Sequence, residues 1–106
     1  MKSKSGIFRN IKSVILRGIS YKIHWRKPRT TKTGAAYGLC DPPFKKNKKI
    51  TIDVNTPEEE LLDTIIHESL HGCYWHLNED EVTTGSKDIS HLLWRCGYRR
   101  IENPED

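Results

Sequence analysis

His67-Glu68-Ser69-Leu70-His71 spells the pattern H-E-x-x-H. On a helix, residues four apart lie on one face, one turn from each other. Two imidazoles at that spacing can hold one Zn²⁺, at about 2.0–2.1 Å per nitrogen. Glu68, next to the first imidazole, can reach a zinc-bound water as general base. The metal makes that water a nucleophile near neutral pH. Only three letters of the pattern are fixed, and a solvated helix face can carry two His and a Glu by chance. Two demands separate the readings: a helix beneath the motif, and a third ligand.

The helix has a start signal in Thr56-Pro57-Glu58-Glu59. Thr56 suits the N-cap, Pro57 the first helical position and Glu59 the closing residue of a capping box. Glu58, Glu59 and Glu60 also suit the positive end of the helix dipole. Leu61, Leu62, Ile65, Ile66, Ser69, Gly72 and Cys73 form one broad stripe, with His67 and His71 projecting from the other side. The pattern predicts a helix from Pro57 to Trp75, packed on one face and opening a polar cleft on the other.

A second helix follows. Asn78 is its expected N-cap, and Glu81 closes a second capping box. Val82, Gly85, Ser86, Ile89, Leu93 and Cys96 form its expected buried stripe. Gly85 lowers helix propensity by roughly 1 kcal/mol relative to Ala, and a close helix approach would give it a reason. Gly97 is the expected C′ residue, with Arg95, Arg99 and Arg100 near the negative end. A short connection after Trp75 returns the first turn of this helix over His71. Glu79 is therefore the first choice of third ligand, with Asp80 and Glu81 as alternatives. His91 projects away from the stripe as a surface residue. His76 misses the H-E-x-x-H-x-x-G-x-x-H spacing by one residue, and Tyr74 stands where that pattern needs Gly.

Three blocks extend the motif. The first is Gly38-Leu39-Cys40-Asp41-Pro42-Pro43 with the strand-like Lys49-Ile50-Thr51-Ile52-Asp53. The second runs from Leu62 through His67-Glu68-Ser69-Leu70-His71 to Gly72-Cys73. The third runs from Leu77-Asn78-Glu79-Asp80-Glu81-Val82 to Leu92-Leu93-Trp94-Arg95-Cys96-Gly97-Tyr98-Arg99. Together they cover most of residues 38–100. They resemble the small zinc-peptidase-like proteins of bacteriophages and some bacterial genomes, minimal relatives of the gluzincins. The resemblance implies a zincin-like fold, Zn²⁺ held by His67, His71 and a downstream acid, and Glu68 as the catalytic residue. It implies no particular substrate. Gly72 and Gly85 stand where many such helices carry Ala.

A chain of 106 residues is expected to form one domain. Its modest core would gain stability from a bound metal. No apolar run is long enough to span a bilayer. The basic start, Met1 to Gly6, leads into a stretch broken by Arg9, Asn10, Lys12 and Arg17, unlike a signal-peptide core. The expected location is the cytoplasm, that of the host if the chain is phage-encoded. Three cysteines at no paired spacing do not make a disulfide framework. Cys73 and Cys96 read as small buried hydrophobes.

Charge divides the chain. Residues 1–52 hold 14 Lys and Arg against one acid, Asp41, a net +13; residues 53–106 hold 4 against 13, a net −9. Arg26-Lys27-Pro28-Arg29 and Lys45-Lys46-Asn47-Lys48-Lys49 can meet nucleic-acid phosphates. They equally suit a solvated surface offsetting the acidic half. Tyr21, Trp25, Tyr37 and Phe44 lie among these charges and also suit strand packing.

The basic half, residues 1–54, reads as strands. Ile19, Tyr21, Ile23 and Trp25 alternate with Ser20, Lys22, His24 and Arg26. Ser13 to Leu16, before Arg17-Gly18, is a hairpin partner, although Ile7, Ile11, Val14 and Ile15 also fit a helix from Ile7 to Leu16. Lys49 to Val54 is the strand entering the active-site helix, and Arg26 to Gly34 is a polar loop. The expected fold class is α+β: a small, largely antiparallel sheet packed against two helices.

The leading functional expectation is zinc-dependent hydrolysis of a protein or peptide substrate. Glu68 takes the water proton and passes it to the leaving amine. By analogy with zincin-like folds, Ile50 to Val54 is the candidate edge strand for an extended substrate. Tyr74 and His76 read as packing residues. The second expectation is a nucleic-acid-associated protein with a structural or regulatory zinc. Glu68 favours catalysis, because a structural zinc needs no general base. A protease recruited to DNA, as in the SprT-like proteases, would combine the two, but the chain has no His-Gly third-ligand block of that kind. Nothing in the pattern specifies an oligomeric state.

Overall fold

Arg17 and Gly18 both have positive φ, 49° and 79°. That is the backbone of a two-residue hairpin turn, which suits the twist of the flanking strands. It joins β1 (Ser13–Leu16) to β2 (Ile19–Trp25) in antiparallel register, Leu16 opposite Ile19 and Val14 opposite Tyr21. The strand reading of Ser13 to Leu16 therefore prevails over the helical one. The computed structural model describes residues 7–28 and 37–101. Most of the expected loop from Arg26 to Gly34 lies outside these residues, as does Arg29.

Two short strands complete the sheet, β3 (Gly38–Cys40) and β4 (Lys49–Ile52), in the order β1-β2-β4-β3. The outer pairings are antiparallel, but the central β2–β4 pairing is parallel, with Ile23 opposite Ile50 and Trp25 opposite Ile52. The sheet is thus mixed, where a largely antiparallel one is expected from sequence. The cause is connectivity. After β2 the chain passes the neighbouring position to form β3, and β4 then returns into the gap. This corrects the choice of edge strand: the segment beginning at Ile50 is paired on both sides, and the edges are β1 and β3, of which β3 borders the cleft.

Helix α1 (Glu58–Cys73) and helix α2 (Glu79–Arg95) follow. The fold is α+β, a small mixed sheet against two helices. Its core cluster is Tyr21, Ile50, Ile52 and Leu61, flanked by Val14, Leu16, Ile23, Trp25 and Ile65. Tyr21 and Trp25 pack as strand residues, whereas Tyr37 and Phe44 are exposed.

The two helix starts differ. Asn78 and Glu81 form the expected capping box: Glu81 N–H donates to Asn78 Oδ1 (2.8 Å) and Asn78 N–H to Glu81 Oε1 (3.3 Å). Thr56 does not cap α1; Pro57 takes the cap position with no side-chain hydrogen bond. The Thr56 N–H is already donated to Asp53 C=O (3.0 Å), so it is not offered to Glu59. The Thr56 hydroxyl is buried without a partner.

Burial also departs from the expected stripes. The deepest line on α1 is Leu61, Thr64, Glu68 and Gly72. Leu62, Ile65, Ile66, Ser69 and Cys73 are half-buried. A Cβ on Gly72 would lie 2.6 Å from Leu16 Cδ1, so Gly72 lets α1 sit close on the hairpin. On α2 the buried residues are Val82, Ser86 and Ser90, because α1 is the element packed against it. Gly85 faces open space, and Ile89 and Cys96 are exposed. The expected roles of Gly85 as a close-approach residue and Cys96 as a buried hydrophobe are therefore wrong. Gly97 closes α2 as expected, at φ 101°. Tyr98 N–H donates to Leu93 C=O (3.1 Å) and Gly97 N–H to Trp94 C=O (3.0 Å), a Schellman ending. Among the described residues, no helix is long and apolar enough to cross a membrane.

Candidate metal centre

Asp63, His67 and His71 follow one another at four-residue spacing along α1 and line one cleft. The chain turns at once beyond the helix. Tyr74 N–H caps Leu70 C=O (2.8 Å), and Leu77 N–H donates to Tyr74 C=O (3.0 Å). The Asn78 capping box then starts α2, which fixes Glu79 at the first helical position, facing back over the histidines.

The result is a three-residue cluster. His67 Nε2 and His71 Nε2 are 3.2 Å apart. Glu79 places Oε1 2.9 Å from His67 Nε2 and Oε2 3.0 Å from His71 Nε2. Two nitrogens bound to one tetrahedral zinc stand about 3.3 Å apart, given bonds of about 2.0–2.1 Å. The spacing fits a shared ion. Two imidazole nitrogens this close cannot each point a hydrogen at the other, and a cation between them and the carboxylate removes that conflict. A His/His/Glu set is a donor set suited to Zn²⁺ with a position left open. Among the described residues, this is the group of three or more His, Cys, Asp or Glu that converges within metal-binding distance. Asp80 and Glu81 are not in it, and Glu81 is occupied by the cap. His91 is exposed and lies 3.4 Å from Glu59; His76 is exposed beside the Tyr74 ring.

Ser86 was not legible as part of this site. It reads as a stripe residue in the sequence, and it is fully buried. Its hydroxyl has one proton, donated to Thr83 C=O (3.2 Å). Its oxygen lies 3.4 Å from His67 Nδ1 and can accept from it when that nitrogen carries the hydrogen. A hydrogen held on Nδ1 leaves the lone pair on Nε2, toward Glu79. No sequence pattern announces this contact, because it joins residues 19 apart on different helices.

Glu68 projects differently from its neighbours. It is only 6 % exposed and faces β3. A Cβ on Gly38 would meet Glu68 Cγ at 2.9 Å and Thr64 Cγ2 at 2.7 Å, so Gly38 makes the space that Glu68 occupies. Burial, and secondarily the Glu79 carboxylate, push the Glu68 carboxyl up to about 8. Burial together with the Glu68 carboxylate pushes the adjacent Cys40 thiol up to about 12. Burial lowers His71 below the usual histidine range, against the opposing pull of Glu79. A bound dication would favour the ionised Glu68 and the neutral imidazoles.

The cleft has a volume of about 750 Å³. Its floor is His67, Glu68 and His71, with β3 on one side and Trp75, Thr83 and Lys87 among its other walls. Asp53 N–H donates to Tyr37 C=O (2.8 Å) and Asp41 N–H to Lys49 C=O (3.0 Å). In an antiparallel ladder, alternate residues bond to the same neighbour. Residues 37, 39 and 41 thus face β4, and the backbone N–H and C=O of Gly38 and Cys40 point off the other edge of β3, which no described strand covers, beside the cleft. The basic run after β3 is partly engaged: Lys45 pairs with Asp41 (3.4 Å), and Lys49 N–H donates to the same carboxylate (3.0 Å).

Comparison of the chain with protein-family models, curated proteins and solved structures finds no match. The functional reading therefore rests on the site's own chemistry.

Proposed function

We propose that this protein is a zinc-dependent peptidase. The observation that carries the reading is the convergence of His67 Nε2, His71 Nε2 and the Glu79 carboxylate next to a buried, otherwise unexplained Glu68. Zinc fits the donor set, with His67, His71 and Glu79 as the residues that would hold it. When bound, it supplies Lewis acidity to a water and to the scissile carbonyl.

The chain's own residues do the rest. Gly38 and Cys40 offer outward backbone groups, so an extended peptide can add to β3 as a further strand. That lays its backbone across the cleft. Glu68, one residue from His67, takes a proton from the attacking water and returns it to the departing amine. Its pocket between α1 and β3 keeps bulk water away from that carboxylate. Ser86 holds His67 in one tautomer, which keeps the ligand set ordered.

Glu68→Gln tests this directly, because it preserves size and hydrogen bonding but removes the basic carboxylate. The variant should keep zinc and fold while hydrolysis of a broad peptide library falls by roughly 10²–10⁴-fold. Equal turnover by the wild type and Glu68→Gln would exclude the mechanism.

A further inference from the structure

The outer face of α2 has no neighbour within the described chain. Ile89 is 42 % exposed and Leu92 61 % exposed, and Cys96 lies on the same side. Positions 89, 92 and 96 recur at the three- and four-residue steps of a helix-pairing seam. Beside them is a concavity of about 440 Å³, lined by Asp88, His91, Leu92, Arg95 and Cys96. Residues 88, 91, 92 and 95 stand at i, i+3, i+4 and i+7. Four residues so spaced form the hole that receives a side chain from a facing helix. Asp88 is at its N-terminal end and Arg95 at its C-terminal end, and neither has an ion pair with another described residue.

We propose that this face is the contact surface for a second copy of the chain, with the two α2 helices antiparallel about a two-fold axis near Leu92. Charge selects the occupant and its direction. A second α2 running antiparallel brings its Arg95 to Asp88 and its Asp88 to Arg95, two pairs from one symmetric contact. A parallel copy would set like charges together. Leu92 of each copy enters the other's hole, and Ile89 covers its flank. The seam is separate from the metal centre. Glu79, Thr83 and Lys87 line the cleft from another side of α2, so pairing leaves both clefts open. The inference does not depend on zinc or on catalysis. One helix pair is a small interface, so the dimer should be weak and concentration-dependent.

Sedimentation equilibrium on the full chain, across a concentration series at low salt, reads the mass directly. The wild type should pass from monomer to dimer. Leu92→Glu should remain monomeric to at least about 10-fold higher concentration, because it buries a charge at the centre of the contact. Leu92 is exposed, so this variant keeps its fold, which circular dichroism verifies. Asp88→Arg and Arg95→Asp should each weaken pairing, and the double exchange should recover it. A wild type that stays monomeric throughout overturns the proposal and leaves the face to a different partner. A dimer indifferent to Leu92→Glu overturns it too, as does a double exchange no better than the single changes.

Discussion

The two helices reach the candidate metal centre by different means. α1 is gripped from two sides. Gly38 of β3 lies against Thr64 and Glu68, and Leu16 and Tyr21 lie against Gly72. Its two cluster histidines, His67 and His71, are fixed by burial and by the steric demand of the sheet. α2 is held mainly along one line, Val82, Ser86 and Ser90, and the other side of the helix is open. Its member of the cluster, Glu79, has a 66 % exposed side chain and is placed by a cap at the helix start. A donor set can thus be assembled from one helix locked by packing and one aimed by local hydrogen bonds. The first should tolerate little change in volume, and the second little change at its cap.

The metal ligands give the largest expected effect. His67→Ala and His71→Ala should abolish Zn²⁺ binding in a competition titration against a chromophoric chelator. Glu79→Ala should weaken it by more than the roughly 10–100-fold typical of outer-sphere partners. Glu81→Ala should act only through the cap. Normal binding by Glu79→Ala, with loss in Asp80→Ala, would refute the assignment.

Next are the glycines that distinguish the gripped helix from the open one. Gly38→Ala forces a methyl against Thr64, which is β-branched and stiff at χ1, and against buried Glu68. Overpacking of this kind costs about 1–3 kcal/mol. Gly85→Ala meets nothing within 4 Å and should gain up to about 1 kcal/mol of helix propensity. Urea unfolding of the metal-free chain compares the two. Changes of the same sign would remove the contrast.

Ser86→Ala removes a single hydrogen bond between the helices. It should lower zinc affinity by about 10-fold, at the low end of the range for such partners, because 3.4 Å is a long contact. In ¹⁵N NMR of the zinc-loaded protein, the His67 Nδ1–H resonance should move when its acceptor is removed. An unchanged Nδ1 resonance would show that Ser86 does not position His67.

The smallest contrast lies at the helix starts. Asn78→Ala removes a formed capping box and should cost about 1 kcal/mol. Thr56→Val removes a buried hydroxyl that has no partner, so thermal unfolding should find stability kept or raised. A larger loss in Thr56→Val than in Asn78→Ala would mean that Thr56 caps α1 after all.

The local features were open to reading because each depends on neighbours along the chain. The sequence by itself determined both helices, the Asn78–Glu81 box and the Gly97 ending; it offered the Arg17-Gly18 hairpin only beside a helix from Ile7 to Leu16, and the structure chose the hairpin. The sequence also determined the pairing of His67 with His71, since helical spacing alone puts them on one face. The placement of Glu79 followed from a short turn plus a cap. Only the tertiary structure decided which strand is the edge, because β4 enters between β2 and β3 by connectivity and no side-chain alternation encodes that order. It also decided the failure of the Thr56 capping box: Asp53 C=O takes the N–H that Glu59 would have bonded, and α1 begins one residue later, with Pro57 at the cap. The burial of Glu68 against Gly38 and the contact of Ser86 with His67 were likewise decided there. Both join residues distant in sequence, and periodicity along one element cannot show what another element will place against it.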